Sequence, residues 1–316
     1  MPDFSGENHP KGSPMSKVAF LFPGQGSQTV GMAQQLCATL PAARRLFDEA
    51  SAILGYDLLE VCAKGPVERL NSTVVSQPAI FVASLAALES LRASDPTAEA
   101  HCVATAGLSL GEYTALVCAG TLSFADGVRL VKRRGEAMQA AADATPSGML
   151  SVLGLEQAKV EELCAKARPA GLIEVANLLC PGNIVVSGAK AACDEVERLA
   201  PEFGAMKTLR LAVAGAFHTD LMKPADQALQ EALATLELRP ARIPVWSNVD
   251  AQPHTAPEEI RPLLIRQVLQ PVLWEKTMRN LLATGVERFF EIGPGRVLAG
   301  LLKRVQRQAS CQHVAA

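Results

Sequence analysis

A serine between two glycines is the first pattern in this chain that suits covalent chemistry. The stretch TAGLSLGEY (105–113) places Ser109 in a G-x-S-x-G pattern, between the strand-like run HCVATAGL and a helix-forming run. A turn of this kind lifts a serine clear of a sheet and points helix N–H groups at it. The pattern predicts a nucleophile, and the alternative is a serine that only caps the helix.

A serine hydroxyl at neutral pH needs a base within hydrogen-bonding reach. His218 ends the run LAVAGAF, which reads as a strand end before a helix, and strand ends are where a parallel sheet gathers catalytic groups. We expect His218 to be the base; the alternative is a histidine hydrogen-bonded at a helix start. No acid stands out as a third member, since Asp220 is too near in sequence and Asp250 is only a candidate. The other histidines lie in predicted tails or away from such strand ends (His9, His101, His254 and His313).

Two further segments suit the handling of an acyl group. The loop PGQGSQ (23–28) fits neither nucleotide-binding glycine pattern, and a main-chain N–H lent to an oxyanion fits it better than a phosphate does. In LVKRRGEAMQ, a cluster of cations would ordinarily be a solvated helix face. However, Gly135 within a helix suggests close packing beside Arg134. A buried guanidinium at Arg134 would suit a carboxylate held by two parallel hydrogen bonds.

Composition excludes several classes of protein. The chain has 316 residues, 49% of them hydrophobic, and a formal net charge of -2. That charge lacks the basic excess of a nucleic-acid binder, and no apolar run approaches the ~20 residues of a membrane helix. The eight cysteines form no C-x-x-C pair, so we expect no metal site and free thiols in a reducing compartment.

The order of elements predicts an α/β fold with one unit inserted in another. Strand and helix patterns alternate over 17–144 and 213–307, which indicates a large domain with a parallel sheet covered by helices. Residues 145–212 read as β-α-β-β-α-β, a ferredoxin-like subdomain inserted into it. Residues 1–16 read as a flexible tail, a cloning remnant or what is left of a transit peptide, and 308–316 as a C-terminal tail.

With these segments assembled, the chain resembles the malonyl-CoA:acyl carrier protein transacylase family, the acyltransferases that feed type II fatty acid synthesis. The resemblance covers residues 17–307. It rests on six motifs in order: FPGQGSQ, GLSLGEYTAL, LVKRRGEAMQ, GAFHTDLM, RQVLQPVLW and EIGPGRVLAG. It implies an α/β-hydrolase-like large domain, no cofactor, and the substrates malonyl-CoA and acyl carrier protein.

The resemblance also implies roles for residues of this chain. Ser109 would carry the malonyl group as an ester, and His218 would act as base and then as acid toward the departing thiol. A main-chain carbonyl, that of Gln267, would orient the histidine in place of an acid. The backbone N–H groups of Gln25 and Leu110 would form the oxyanion hole.

Substrate selection would rest on two more residues. Arg134 would grip the free carboxylate of malonyl, and acetyl-CoA would leave this cation unpaired. Phe217 would crowd the α-methyl group of methylmalonyl. The chain departs from the common G-H-S-x-G pattern of the family by Leu108, and we expect the chemistry to survive because that neighbour is not the base.

Other functions stay open at this point. A serine esterase or thioesterase would share the turn and the histidine, a catalytically silent subunit that binds acyl carrier protein is a second alternative, and an acyltransferase of a polyketide synthase is a third. The carrier would dock on a basic surface, either Lys303, Arg304 and Arg307 or Arg44 and Arg45; for both sets the alternative is an ordinary solvated face. We expect a monomer without nucleic-acid or membrane partners, in a plastid stroma or, alternatively, a bacterial cytoplasm.

Overall fold

The computed structural model describes residues 16–316, so the tail predicted at 1–16 lies outside the described residues except for Ser16. The strands are β1 (Val18–Phe22), β2 (Cys102–Gly107), β3 (Ser147–Leu153), β4 (Ile173–Cys180), β5 (Asn183–Ala189), β6 (Lys207–Arg210), β7 (Val245–Trp246), β8 (Pro253–His254), β9 (Arg288–Ile292) and β10 (Ser310–Val314). The helices are α1 (Gln34–Thr39), α2 (Pro41–Leu54), α3 (Leu58–Lys64), α4 (Val67–Asn71), α5 (Thr73–Ser94), α6 (Pro96–Ala100), α7 (Gly111–Cys118), α8 (Phe124–Ala144), α9 (Gln157–Ala167), α10 (Lys190–Leu199), α11 (Lys223–Ala234), α12 (Pro257–Gln267), α13 (Trp274–Ala283) and α14 (Val297–Val305).

The larger sheet has six strands in the order β10-β9-β1-β2-β7-β8. Every neighbouring pair in it is parallel except β7 with β8. Strand β1 (VAFLF) is buried at every residue, as expected of a central parallel strand covered by helices on both faces. The prediction of a largely parallel sheet with covering helices is therefore confirmed, and β1 and β2 end side by side at the edge where the serine turn begins.

A second sheet of four antiparallel strands, in the order β4-β5-β3-β6, lies between α8 and α11 in the sequence. Its elements follow one another as β-α-β-β-α-β, the order that the sequence predicts. Helices α9 and α10 pack on it and share with it a hydrophobic cluster of its own. Because its apolar residues are buried within the unit, this sheet does not depend on the larger one for a core.

The outer strand of the small sheet is tied to the larger unit beside the active site. Asn177 forms a parallel bridge with Val272, and Leu178 donates its main-chain N–H to the Val272 carbonyl at 2.9 Å. Val272 in turn donates to the carbonyl of Ala176 at 2.8 Å. The segment that carries Val272 directly follows α12, so the two units meet a few residues from Gln267.

Helix α5 is the long core helix of the larger unit. It is the one helix of the described range that is long and apolar enough to cross a membrane, but 83% of its most apolar window is buried inside the fold. It packs against α2 and α8. The length and composition of α5 therefore reflect its central position in the core.

Two sequence predictions are wrong. Residues 308–316 are not a tail, because Ser310–Val314 form β10 at the edge of the larger sheet, paired in parallel with β9. Strand β10 is a short, half-exposed edge strand, so no apolar run in the sequence indicates it. The two-residue strands β7 and β8 were not predicted either. The run LAVAGAF (211–217) is not a strand, because the chain leaves the small sheet after Arg210 and crosses back to the larger unit.

Candidate active site

The serine turn joins β2 to α7 through the three residues 108–110. Ser109 has φ 49°, in the left-handed region that residues with a side chain rarely adopt. A Cβ on Gly107 would run into the main chain of Gly111, and a Cβ on Gly111 would run into the carbonyl of Phe22. The two glycines of the motif are therefore required by close backbone approach, and the turn holds Ser109 at the top of the sheet.

Ser109 lies against His218. The Oγ atom is 2.9 Å from Nε2 of the imidazole, and Nδ1 on the other side is 2.8 Å from the main-chain oxygen of Gln267. Because a carbonyl oxygen can only accept, Nδ1 carries the proton and Nε2 is free to receive the serine proton. Burial, together with the charge of Arg134, lowers the pKa of His218 to about 4, so the imidazole is neutral at neutral pH.

Neither acid considered from the sequence touches the histidine. The Asp220 carboxylate pairs with Lys223 at 2.8 Å, and the Asp250 carboxylate pairs with His254 at 3.0 Å. His218 itself is only 3% exposed and stands on the loop before the 3₁₀ turn at 220–222, with φ 62°. The carbonyl of Gln267 thus takes the place at Nδ1 that an acid would have in a hydrolase triad.

Arg134 completes the cluster from α8. Its side chain is buried, and Nη2 donates to Ser109 Oγ at 3.0 Å and to the Gln267 side-chain oxygen at 3.2 Å. Nη1 donates to the side-chain oxygen of Gln77 at 2.9 Å, and the guanidinium carbon lies 5.2 Å from the centre of the Tyr113 ring. In residues 16–316 no carboxylate lies within ion-pairing distance of it. The site therefore holds a buried cation next to the serine oxygen, which favours an anionic ligand.

The glycine beside this arginine has the close contact that the sequence suggested. A Cβ on Gly135 would lie 2.9 Å from the main-chain oxygen of Thr73, at the start of α5. Helices α5 and α8 therefore approach closely at this position. The close packing sets Arg134 on the buried side of α8, while Arg133 remains exposed.

A small cavity of about 80 Å³ lies in front of Ser109. Gln25 and Phe217 both border it, and Phe217 is 5% exposed. Among the described residues, no atom accepts a hydrogen bond from the main-chain N–H of Gln25 or of Leu110. Two free N–H groups near the serine suit a negatively charged oxygen.

Leu108 replaces a polar neighbour of the serine by packing. Its main-chain N–H donates to the Phe22 carbonyl at 3.0 Å, which fixes the turn to β1. Its partly buried side chain borders the cavity in front of Ser109 and packs against the hydrophobic cluster that includes Ala19, Leu21 and Trp246. Leu108 therefore adds no polar atom to the serine–histidine pair.

Sequence reasoning missed three polar residues of the site. Asn248 clamps the serine turn, because its Nδ2 donates to the Gly107 carbonyl and its Oδ1 accepts from the Ser109 N–H, both at 2.7 Å. Gln77 holds Arg134, and Glu112 is a buried carboxyl that bonds to Gln267 at 2.8 Å. No group of three or more His, Cys, Asp or Glu side chains within 16–316 is placed to hold a metal ion.

Known proteins resemble this chain over most of its length. Residues 19–316 match the family model described as "Acyl transferase domain". The malonyl CoA-acyl carrier protein transacylase of Bacillus subtilis is 44% identical over 93% of this chain and 92% of its own length. The mitochondrial malonyl-CoA-acyl carrier protein transacylase of human is 45% identical over 92% of this chain and 77% of its own.

A solved structure adds a relative bound to its carrier. It is described as a malonyl-transacylase, PlMCAT, in complex with AntF, the holo form of a type II PKS acyl-carrier protein. This chain matches it with a TM-score of 0.91 and 38% identity, over 95% of this chain and 96% of that one. The chain therefore belongs to the malonyl-CoA-acyl carrier protein transacylase family of acyltransferases.

Proposed function

We propose that this chain moves the malonyl group by way of an ester on Ser109, in two half-reactions. The observation that carries the proposal is the contact of Ser109 Oγ with both His218 Nε2 at 2.9 Å and Arg134 Nη2 at 3.0 Å. The base and the cation thus converge on one oxygen atom. A hydrolase would need only the first contact, and a silent binding subunit would need neither.

In the first half-reaction the Ser109 oxygen attacks the thioester carbon of malonyl-CoA. The Oγ–H proton passes to His218 Nε2 as the new C–O bond forms, and the N–H groups of Gln25 and Leu110 receive the oxyanion. The C–S bond then breaks, and His218 returns the proton to the CoA thiolate. The carbonyl of Gln267 stabilises the imidazolium that exists between these two events.

In the second half-reaction the phosphopantetheine thiol of acyl carrier protein attacks the ester. His218 takes the thiol proton and then gives it to the Ser109 oxygen as the C–O bond breaks, which restores the free enzyme. Arg134 holds the malonyl carboxylate throughout, so the acyl group keeps its position between the two thiols. This sequence needs no cofactor, because every proton that moves is carried by His218.

Specificity follows from the lining of the cavity. Arg134 selects a carboxylate, since an acetyl group would leave this buried cation unpaired. Phe217 borders the space next to the serine and would crowd a methyl branch on the α-carbon. The enzyme therefore prefers malonyl over acetyl and methylmalonyl groups.

The carrier docks, in this proposal, on the basic surface formed by Lys303, Arg304 and Arg307. Among the described residues none of these three has a carboxylate partner; on the other predicted surface Arg45 has none either, but Arg44 pairs with Asp48 at 2.8 Å. Unpaired cations attract the acidic carrier more strongly. The carrier belongs to fatty acid synthesis, or to a polyketide synthase, as in the complex of the PlMCAT relative.

For the architecture we propose a ferredoxin-like subdomain, 145–212, inserted into an α/β-hydrolase-like domain made of 17–144 and the chain from 213 onward. The strand order β4-β5-β3-β6 and the separate hydrophobic cluster support this division. We propose a monomer that binds neither nucleic acid nor membrane. The bacterial and mitochondrial names of the relatives support a bacterial cytoplasm over a plastid stroma.

The test is intact-mass spectrometry after mixing the protein with malonyl-CoA. We expect a malonyl adduct on the wild-type protein and none on Ser109→Ala, and we expect the adduct to disappear when holo acyl carrier protein is added. Ser247→Ala is the control, because Ser247 is buried, at 3% exposed, but its hydroxyl accepts from the main-chain N–H of Val249 and lies outside the serine–histidine pair. Release of CoA by steady hydrolysis without an adduct would instead identify a thioesterase.

A further inference from the structure

A buried carboxyl lies behind the catalytic cluster and takes no part in the mechanism above. Glu112 is in the first turn of α7 and is only 3% exposed. Its Oε2 accepts from the main-chain N–H of Asn248 at 3.0 Å and from Nε2 of Gln267 at 2.8 Å. Within residues 16–316 no cation forms an ion pair with it. Burying a carboxylate without a cation costs free energy, which here only hydrogen bonds offset.

Both partners of Glu112 hold the groups that react. Asn248 clamps the two ends of the serine turn by the bonds to Gly107 and Ser109 described above. Gln267 touches every member of the cluster, since its main-chain oxygen meets His218 Nδ1, its Oε1 accepts from Arg134 and its Nε2 also donates to the Ser109 carbonyl at 3.1 Å. Glu112 is therefore one bond away from the serine turn, the histidine and the arginine.

The direction of these bonds depends on the charge of Glu112. An ionised carboxylate can only accept, so the amide of Gln267 must turn its Nε2 toward Glu112 and its Oε1 toward Arg134. With the amide reversed, an NH₂ group would face the guanidinium of Arg134, and two donors would oppose each other. A protonated Glu112 still has an acceptor oxygen, but without the charge its bond to the Gln267 amide is weaker, and Arg134 and the Ser109 carbonyl then hold the amide with less help.

We propose that Glu112, in its ionised form, is the positioning residue that fixes the Gln267 amide and thereby aligns Arg134 and His218 with Ser109. This proposal rests on the malonyl-serine reaction set out above. Glu112 touches no reacting atom, so it acts through Gln267 and Asn248.

The groups around Glu112 determine its pKa, and therefore the pH range in which it is ionised. Burial raises the pKa of Glu112 to about 7, against the bonds from Gln267 and Asn248, which lower it. Asp250, after β7, raises it further, and Arg134, on α8, lowers it. Burial raises the pKa of the neighbouring Tyr113, so this phenol is neutral near pH 7, as is the imidazole of His218. Glu112 therefore gains a proton several pH units before His218, whose pKa lies at about 4.

The test measures the rate of malonyl-serine formation by rapid quench and intact mass, with malonyl-CoA alone, from pH 5 to 9. For the wild-type protein we expect the rate to fall as the pH drops through about 7. For Glu112→Gln we expect a rate about 10- to 100-fold lower at pH 8, the usual effect of removing a group that orients a catalytic one, and no fall near pH 7. Glu112→Asp should restore the fall and part of the rate.

The matched control is Glu60→Gln, the same change in the first turn of α3, where the side chain is exposed. It should keep both the rate and the pH profile of the wild type. A Glu112→Gln protein with the wild-type rate and the wild-type fall near pH 7 would overturn the proposal. If that variant does not fold, a wild-type rate that stays level from pH 8 to 5 would overturn it just as well. A wild-type protein that forms no adduct at pH 8 would instead refute the malonyl-serine reaction itself.

Discussion

Replacing Arg134 by methionine separates the recognition of the malonyl carboxylate from the rest of the chemistry. Methionine fills similar space on α8 but removes the charge and the bonds to Ser109, Gln77 and Gln267. Losing one partner of a buried ion pair costs about 3–5 kcal/mol, because the other charge is left buried and unpaired. At about 1.4 kcal/mol per factor of ten, acylation by malonyl-CoA should slow by at least about 10²- to 10³-fold.

Acetyl-CoA has no carboxylate to lose, so the same change should act on it in the opposite direction. In the wild-type protein an acetyl group leaves the guanidinium unpaired, whereas methionine offers it an apolar wall. We expect acylation by acetyl-CoA to stay level or rise up to about tenfold, which corresponds to a gain of about 1.4 kcal/mol. The preference for malonyl over acetyl should therefore fall by at least about 10²-fold.

The assay compares kcat/KM for the two thioesters, with intact-mass spectrometry to count the acylated protein. Arg133→Met is the matched control, because Arg133 precedes Arg134 on the same helix and is exposed. It should leave both rates unchanged. Equal slowing with both thioesters in Arg134→Met would leave the preference for malonyl unchanged. That result would show that the arginine serves the serine oxygen, and it would refute its assignment to the malonyl carboxylate.

Three further changes test the packing, the charge and the shape of the site. Gly135→Ala should lower the free energy of unfolding by about 1–3 kcal/mol because the new Cβ would meet the main chain of Thr73. The control Gly300→Ala, in a helix with open space around it, should leave this free energy unchanged or raise it slightly. Urea denaturation measures both, and equal effects would contradict the close contact at Gly135. The pKa of His218 is lower in the folded than in the unfolded protein, so the folded state binds fewer protons below pH 7. As the pH falls from about 7 to 4, the free energy of unfolding of the wild type should drop by about 2–3 kcal/mol relative to that of His218→Gln. Parallel plots of this free energy against pH for the two proteins would contradict the lowered pKa. Phe217→Ala should raise kcat/KM for methylmalonyl-CoA relative to malonyl-CoA by about tenfold, and an unchanged ratio in competition assays would remove Phe217 from specificity.

The sequence was most informative where a pattern is local. The runs QAKVEELCAKA (157–167), NIVVSGA (183–189) and RFFEI (288–292) have the apolar patterns of a helix and two strands, and they coincide with α9, β5 and β9. Each of these elements buries one face or one run within its own unit. The serine turn could be predicted because glycines on both sides of Ser109, between a strand and a helix, are typical of a sharp turn. The meeting of Ser109, His218 and Arg134 was foreseen through the resemblance, and their roles remain predictions.

Other features depend on contacts that no local pattern records. Asn248 stands in a short loop after a two-residue strand, and only the folded chain shows that its amide spans the serine turn. Glu112 looks like an ordinary acid in the first turn of a helix, since nothing in GEYTAL marks it as buried. Strand β10 has no partner except β9, so its residues needed only a modest apolar content.

The order of the larger sheet has a consequence for how the chain is made. Among the strands of residues 16–316, β1 is synthesised before the others, yet its two neighbours are β2 and the much later β9, and Val18 pairs with Arg288. Until residues 288–314 have been synthesised, β1 has an unpaired edge made of five buried apolar residues. The small sheet, by contrast, pairs only strands within 147–210 and can form during synthesis.

A nascent chain of this topology therefore exposes the unpaired main-chain N–H and C=O groups of one edge of β1 for most of its synthesis. Such long-range parallel pairing folds slowly and favours aggregation while it waits. Expression at lower temperature, or with more chaperone, should raise the soluble yield, and a stop codon before β9 should send the product to inclusion bodies even though every catalytic side chain is already present.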